Sequence, residues 1–139
     1  MTDGNAKVPA GTNLYRVGFD KTFFIEGSLT ELDLSYAGLV MLDVSQSTTL
    51  EKLICEDNKL TALDLSHNSA LTSLWCFNNQ ILTPKMETLI NSLPTVTDGD
   101  FRVVKTPGEL NEITQAQVAA ATAKGWIPRK STGSVISFE

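Results

Sequence analysis

Residues 50–81 read LEKLICEDNKLTALDLSHNSALTSLWCFNNQI and state one pattern twice. Leu50, Leu53, Cys55, Asn58 and Leu60 recur 21 residues later as Leu71, Leu74, Cys76, Asn79 and Ile81, which is the signature of a stacked repeat. Between them Leu60, Leu63, Leu65, Asn68 and Leu71 keep the same internal spacing, so the unit is a half-turn of 10 or 11 residues. In each half-turn two apolar positions lie two apart, as in Leu53 and Cys55 or Leu74 and Cys76, which is strand alternation with one face inward. Stacking such units brings equivalent strands into parallel register about 4.8 Å apart. Each inward side chain then contributes roughly 1.5–3 kcal/mol by burial, and no unit can bury its face alone.

Working outward, the register extends back through Leu39, Leu42, Val44 and Ser47 and through Leu29, Leu32, Leu34 and Ala37. It begins loosely with Phe19, Thr22, Phe24 and Gly27. Residues 1–18 are rich in Gly, Pro, Asn and Thr without a sustained period, so an irregular tail or cap is expected there, tacked on by Leu14, Tyr15 and Val17. Asn58, Asn68 and Asn79 fall where the backbone bends inward. A short amide can satisfy the carbonyl and N–H groups left without ladder partners, so these residues read as structural.

After Ile81 the rhythm changes. Thr83 and Pro84 read as an N-cap and first-turn pair, and Met86, Leu89, Ile90 and Leu93 form one apolar helix face that Pro94 ends. Asp98 and Gly99 mark a turn into a strand at 101–104. Thr114 with Gln117 is a capping box, Ile113 with Val118 fits the accompanying staple, and the helix stops at Gly125. Trp126 and Ile127 open another strand, with a last one expected at 135–138. Strand–helix–strand steps of this length favour parallel crossovers, so residues 82–128 are expected to extend the sheet of the strands near 53 and 74 and to cover its open edge.

The pattern L-x-x-L-x-L/C-x-x-N-x-L, clean in LEKLICEDNKL and LTSLWCFNNQI, resembles a leucine-rich repeat. The alternation with L-D-L-S-x-N half-turns most resembles short-repeat secreted or surface proteins of Bacteroidetes-type bacteria, as does the closing K-G-W-I after a helix. The resemblance covers 29–81 well and 19–28 loosely, and departs from the pattern where Gly27, Ala37 and Ser47 take the Asn position. It implies a right-handed α/β solenoid with short parallel strands on two sides at 19–81, closed by an α/β cap at 82–139 within one domain. It also implies an adhesion or scaffold role in protein binding, outside the cell or on its surface, without enzymatic activity.

Bulk properties narrow the function classes. A chain of 139 residues with 42% hydrophobic content suits a single domain. A formal charge of −5, from 11 basic and 16 acidic residues without a basic cluster, gives no field that would draw nucleic acid or anionic lipid. No apolar run approaches the roughly 20 residues of a membrane helix. The first twenty residues lack the layout of a secretion signal, so the chain is expected to be soluble as written, intracellular or already processed. A monomer is expected.

Candidate chemistry is sparse. Cys55 and Cys76 replace Leu or Val of other half-turns and read as small buried hydrophobes; a disulfide between neighbouring strands is the alternative. Asp43 and Asp64 stack beside Ser45 and Ser66, which allows a calcium site but fits solvated turn residues better. His67 has no matching nucleophile, and no triad, phosphate loop or metal-ligand spacing is present, so no cofactor, metal or enzymatic role is expected. With Leu53, Cys55, Leu74 and Cys76 inward, the outward columns are Asp33, Ile54 and Trp75, then Ser35, Glu56 and Phe77, with Tyr36, Asp57 and Asn78 beside them. Tyr36, Ile54, Glu56, Trp75 and Phe77 are therefore the candidate ligand-binding residues, an exposed aromatic face suited to a protein partner. The alternative is a glycan stacked on Trp75, with Glu56 or Asp57 as polar contacts.

Overall fold

The computed structural model describes residues 13–17, 22–26, 29–104 and 110–136. Its first strands are β1 (Asn13–Val17), β2 (Thr22–Glu26), β3 (Glu31–Asp33), β4 (Met41–Asp43), β5 (Lys52–Ile54) and β6 (Ser73–Trp75). Helix α1 (Thr83–Ser92), β7 (Gly99–Val104), helix α2 (Gln115–Ala123) and β8 (Trp126–Lys130) follow. The fold is α/β, with a parallel five-stranded sheet of order β3-β5-β6-β7-β8, a three-stranded sheet of order β1-β2-β4, and two helices.

The 21-residue period is the register of the larger sheet. Leu32 lies beside Leu53, Leu53 beside Leu74 and Leu74 beside Phe101, and all four are fully buried. The next step lengthens to admit α1, so Ser73 pairs with Asp100. β7 and β8 extend the sheet as the strand–helix alternation predicts. Cys55 and Cys76 are buried and not joined in a disulfide, and burial foremost, then the charge of Glu56, pushes the Cys55 thiol well above its usual range. Both are expected to resist alkylation at mildly alkaline pH in the folded protein and to react fully in denaturant, since only an accessible thiolate is nucleophilic. Rapid native-state labelling monitored by mass would contradict this packing.

Asparagines tie the bends together. The Nδ2 of Asn58 donates to the Leu34 and Cys55 carbonyls at 2.9 and 3.0 Å, while its Oδ1 accepts from the Ala37 and Leu39 amides at 3.1 and 2.9 Å. Asn79 donates to Cys55 and Cys76 and accepts from Leu60, each at 3.0 Å. Asn111 continues the series, donating to Cys76 and Val103 and accepting from Ile81. Its sequence context, Asn111-Glu112-Ile113, repeats Asn58-Lys59-Leu60 and Asn79-Gln80-Ile81, so the ladder passes into the C-terminal segment.

The opposite side departs from the expected second stack of parallel strands. Residues 62–65 form no strand, although Leu63 and Leu65 are buried. The element that follows on this side is α1, which offers no strand edge, and the Leu65 amide instead donates to Ser92 Oγ at 3.0 Å. β4 pairs parallel with β2. The expectation of an irregular N-terminal segment is corrected at 13–17, where β1 runs antiparallel to β2 from Asn13 beside Glu26 to Val17 beside Thr22. Such pairing satisfies the backbone of an otherwise open β2 edge. Phe19 and Gly27 lie outside the described residues.

The C-terminal units follow their local signals with one shift. Leu82 is the N-cap of α1, without a side-chain cap, and Thr83 is its first residue, with Oγ1 donating to Glu112 Oε2 at 2.8 Å. Tertiary bonding to Glu112 has taken the hydroxyl from its expected capping role. Met86, Leu89 and Ile90 are the buried face, and the Thr114–Gln117 capping box of α2 is complete. Lys124 Nζ donates to the Ile90, Asn91 and Leu93 carbonyls at 3.1, 2.8 and 2.8 Å, neutralising the negative end of α1. Gly125 turns the chain at φ +88°, and buried Trp126 donates to the Pro94 carbonyl at 2.8 Å while packing edge-on to Phe101. At the β8 edge the chain turns back, with Lys130 N to Ser134 O at 2.8 Å, Ile136 N to Pro128 O at 3.1 Å and a bridge from Arg129 to Val135. Residues 137–138 of the expected last strand lie outside the described residues.

Candidate functional site

The outer face of the five-stranded sheet is set by the same alternation that buries Leu53 and Leu74. Its central row reads Asp33, Ile54, Trp75, Arg102, Arg129 across β3, β5, β6, β7 and β8. The row before it reads Glu31, Lys52, Ser73, Asp100, Ile127. Trp75 is half-buried and held on several sides: Nε1 donates to Asp100 Oδ2 at 2.9 Å, Lys52 Nζ lies 4.5 Å and Arg102 Cζ 4.1 Å from the ring centroid. Asp100 also pairs with Arg102 Nε at 3.2 Å and Arg129 Nε at 3.3 Å. Arg102 Nη1 reaches the Ser131 carbonyl at 3.2 Å and Arg129 Nη1 the Gly133 carbonyl at 2.8 Å. One carboxylate thus organises an indole and two guanidinium groups into a rigid, partly exposed cluster.

The candidate residues do not form the open aromatic patch expected of them. Ile54 and Phe77 are only 8% and 7% exposed, yet neither belongs to the contiguous core cluster. They lie on the outer face, where columns about 4.8 Å apart let large side chains shield one another. Glu56 is half-buried on the same face. Tyr36 is 62% exposed and sits at the rim rather than on the sheet. Its backbone is left-handed (φ 56°), as are Asp57 and Asn78 at the equivalent places (φ 54° and 55°). Asn78 Nδ2 donates to Asp57 Oδ1, and Tyr36 is hydrogen-bonded to Asp57, which together with that carboxylate's charge raises the phenol above its ordinary pKa.

Lys52, Asp100, Arg102 and Arg129 are the site residues that sequence reading missed. Arg102 was legible as an outward position in its strand, but which column it joins depends on the irregular step across α1. On the opposite side Asp43 and Asp64 each accept a hydrogen bond from the amide two residues on, Ser45 and Ser66, both at 2.9 Å. Asp33 does the same for Ser35 at 3.0 Å. The recurring Asp-x-Ser is therefore a turn device. Bonding to Ser66 foremost holds the Asp64 carboxyl below its ordinary range. His67 Nδ1 lies 3.3 Å from Ser66 Oγ. Val40 and Met41, unremarked in the sequence, are exposed beside Leu42 and Ala62 on this side.

Comparison with protein-family models, with curated proteins and with solved structures finds no match.

Proposed function

We propose that this chain is a leucine-rich-repeat solenoid that binds a protein partner through the outer sheet face centred on Trp75, with an adhesion or scaffold role and no catalysis of its own. The observation that carries this reading is the Trp75 cluster. A half-buried indole fixed by Asp100, Lys52 and Arg102 is spared from the folding core and presents rigid aromatic and guanidinium groups, the types that dominate binding hot spots. The solenoid reading is supported by the 21-residue register of β3, β5 and β6 and by the asparagine ladder beside it. The resemblance to bacterial surface proteins supports a secreted or surface location.

A glycan stacked on Trp75 is the weaker alternative, because the cations against the indole occupy ring surface that a sugar needs. Immobilised wild type, Trp75→Ala and Met41→Ala are compared for proteins retained from extracts and for binding to a glycan array. Retention of a defined protein that Trp75→Ala loses and Met41→Ala keeps is the expected result, with circular dichroism unchanged. Equal retention by all three would remove the site assignment. Trp75-dependent array binding would favour the glycan.

A further inference from the structure

We infer that the Trp75 face docks on the same face of a second copy of this chain, across a twofold axis running along β6; this rests on the binding reading above and names its partner. β6 is the middle of five strands. A twofold axis lying in the interface parallel to β6 sets β3 of one copy against β8 of the other, and β5 against β7. It keeps each residue at its own level along the strands.

At each of two successive levels one pair of opposite charges is mirrored about β6, while Arg102 falls opposite Ile54 and Glu31 opposite Ile127. At the level of Trp75 the outermost residues are Asp33 on β3 and Arg129 on β8, so each anion meets the other copy's cation. One level earlier Lys52 on β5 mirrors Asp100 on β7. No like charges face each other at either level. Opposite charges mirrored about the axis attract their own image, whereas like charges would repel it, and Trp75 on the axis meets its counterpart. The cations are already oriented, Arg129 by Asp100 and the Gly133 carbonyl and Lys52 against the indole, so little side-chain freedom is lost on docking. Five strands about 4.8 Å apart make a small face, so the dimer is weak and salt-sensitive.

Sedimentation velocity of the whole chain from low micromolar to millimolar concentration tests this. Wild type is expected to shift towards dimer mass as concentration rises and to return to monomer at high salt. D33R and R129D each stay monomeric, and their equimolar mixture regains the dimer because both cross-axis contacts are then between opposite charges. K52E weakens association by about tenfold or more, since the axis imposes the change twice. It carries the test if D33R disturbs the Ser35 turn, with thermal melts confirming the fold. A wild type that stays monomeric, or a dimer that all three variants leave intact, overturns the dimer. Trp75-dependent capture of another protein by a monomeric wild type would leave the binding reading standing, and loss of both would remove both.

Discussion

Gly125→Ala is expected to destabilise the protein by about 4 kcal/mol or more, far beyond the ordinary cost of losing a glycine. Two effects add at this position. The backbone is left-handed (φ +88°), and a Cβ built there would lie 1.7 Å from the Val96 carbonyl oxygen. Val96 cannot withdraw cheaply, because its amide donates to the Lys124 carbonyl at 2.8 Å while Gly99 donates to the Gly125 carbonyl at 3.0 Å. Relieving the clash therefore breaks the crossing that seats Trp126. Gly133 is the internal comparison: its φ is +93°, but the nearest heavy atom to a built Cβ is 3.7 Å away. Gly133→Ala should cost only the backbone strain, about 1–2 kcal/mol. Urea unfolding midpoints at unchanged slope measure both, and equal losses would show that close approach at Val96 does not matter.

Asn58→Ala should be the most costly change in the repeat, about 4 kcal/mol, because it removes the side-chain partner of three backbone groups, the Ala37 and Leu39 amides and the Leu34 carbonyl, whereas the Cys55 and Cys76 carbonyls that Asn79 serves also accept from Asn58 and Asn111. Each orphaned group costs about 1–3 kcal/mol. Asn68→Ala offers a calibrated contrast. Its Nδ2 serves Val44 and Ser47, but its buried Oδ1 has no hydrogen-bond partner among the described residues. Truncation there removes one unsatisfied acceptor along with two good bonds, so a loss of about 2 kcal/mol is expected. Thermal or urea unfolding that ranked Asn68 above Asn58 would contradict the ladder as the element holding successive bends together.

The larger sheet was legible in the sequence because its signal is doubly determined. Leu, Cys and Asn recur at one period, and the same residues fill the core and satisfy the bends. Asn111 escaped notice since the intervening helix breaks the count, although the Asn-x-Ile beside it was available. The second side was misread for a related reason. Leu63 and Leu65 keep the apolar spacing of a strand, but a ladder needs a partner edge, and α1 occupies that place. The antiparallel pairing of β1 with β2 is local in sequence, from Val17 beside Thr22 to Asn13 beside Glu26, but neither composition nor the repeat register carries a signal for it.

The candidate site was legible in part. Alternation identified the outward row through Trp75, yet exposure depends on neighbours as well as direction, so Ile54 and Phe77 proved buried. The polar half of the cluster comes from β7 and β8, where register is set by helix length rather than by period. Asp100 and Arg102 thus reach Trp75 through topology.

The most direct measurement is site-specific photo-cross-linking to the captured partner. A benzophenone amino acid introduced at Ser73, between Lys52 and Asp100 on the outer face, should join the partner covalently in high yield, whereas the same group at exposed Met41 on β4 should not. Cross-linking from Met41 with none from Ser73 would place the interface on the opposite side and contradict the account.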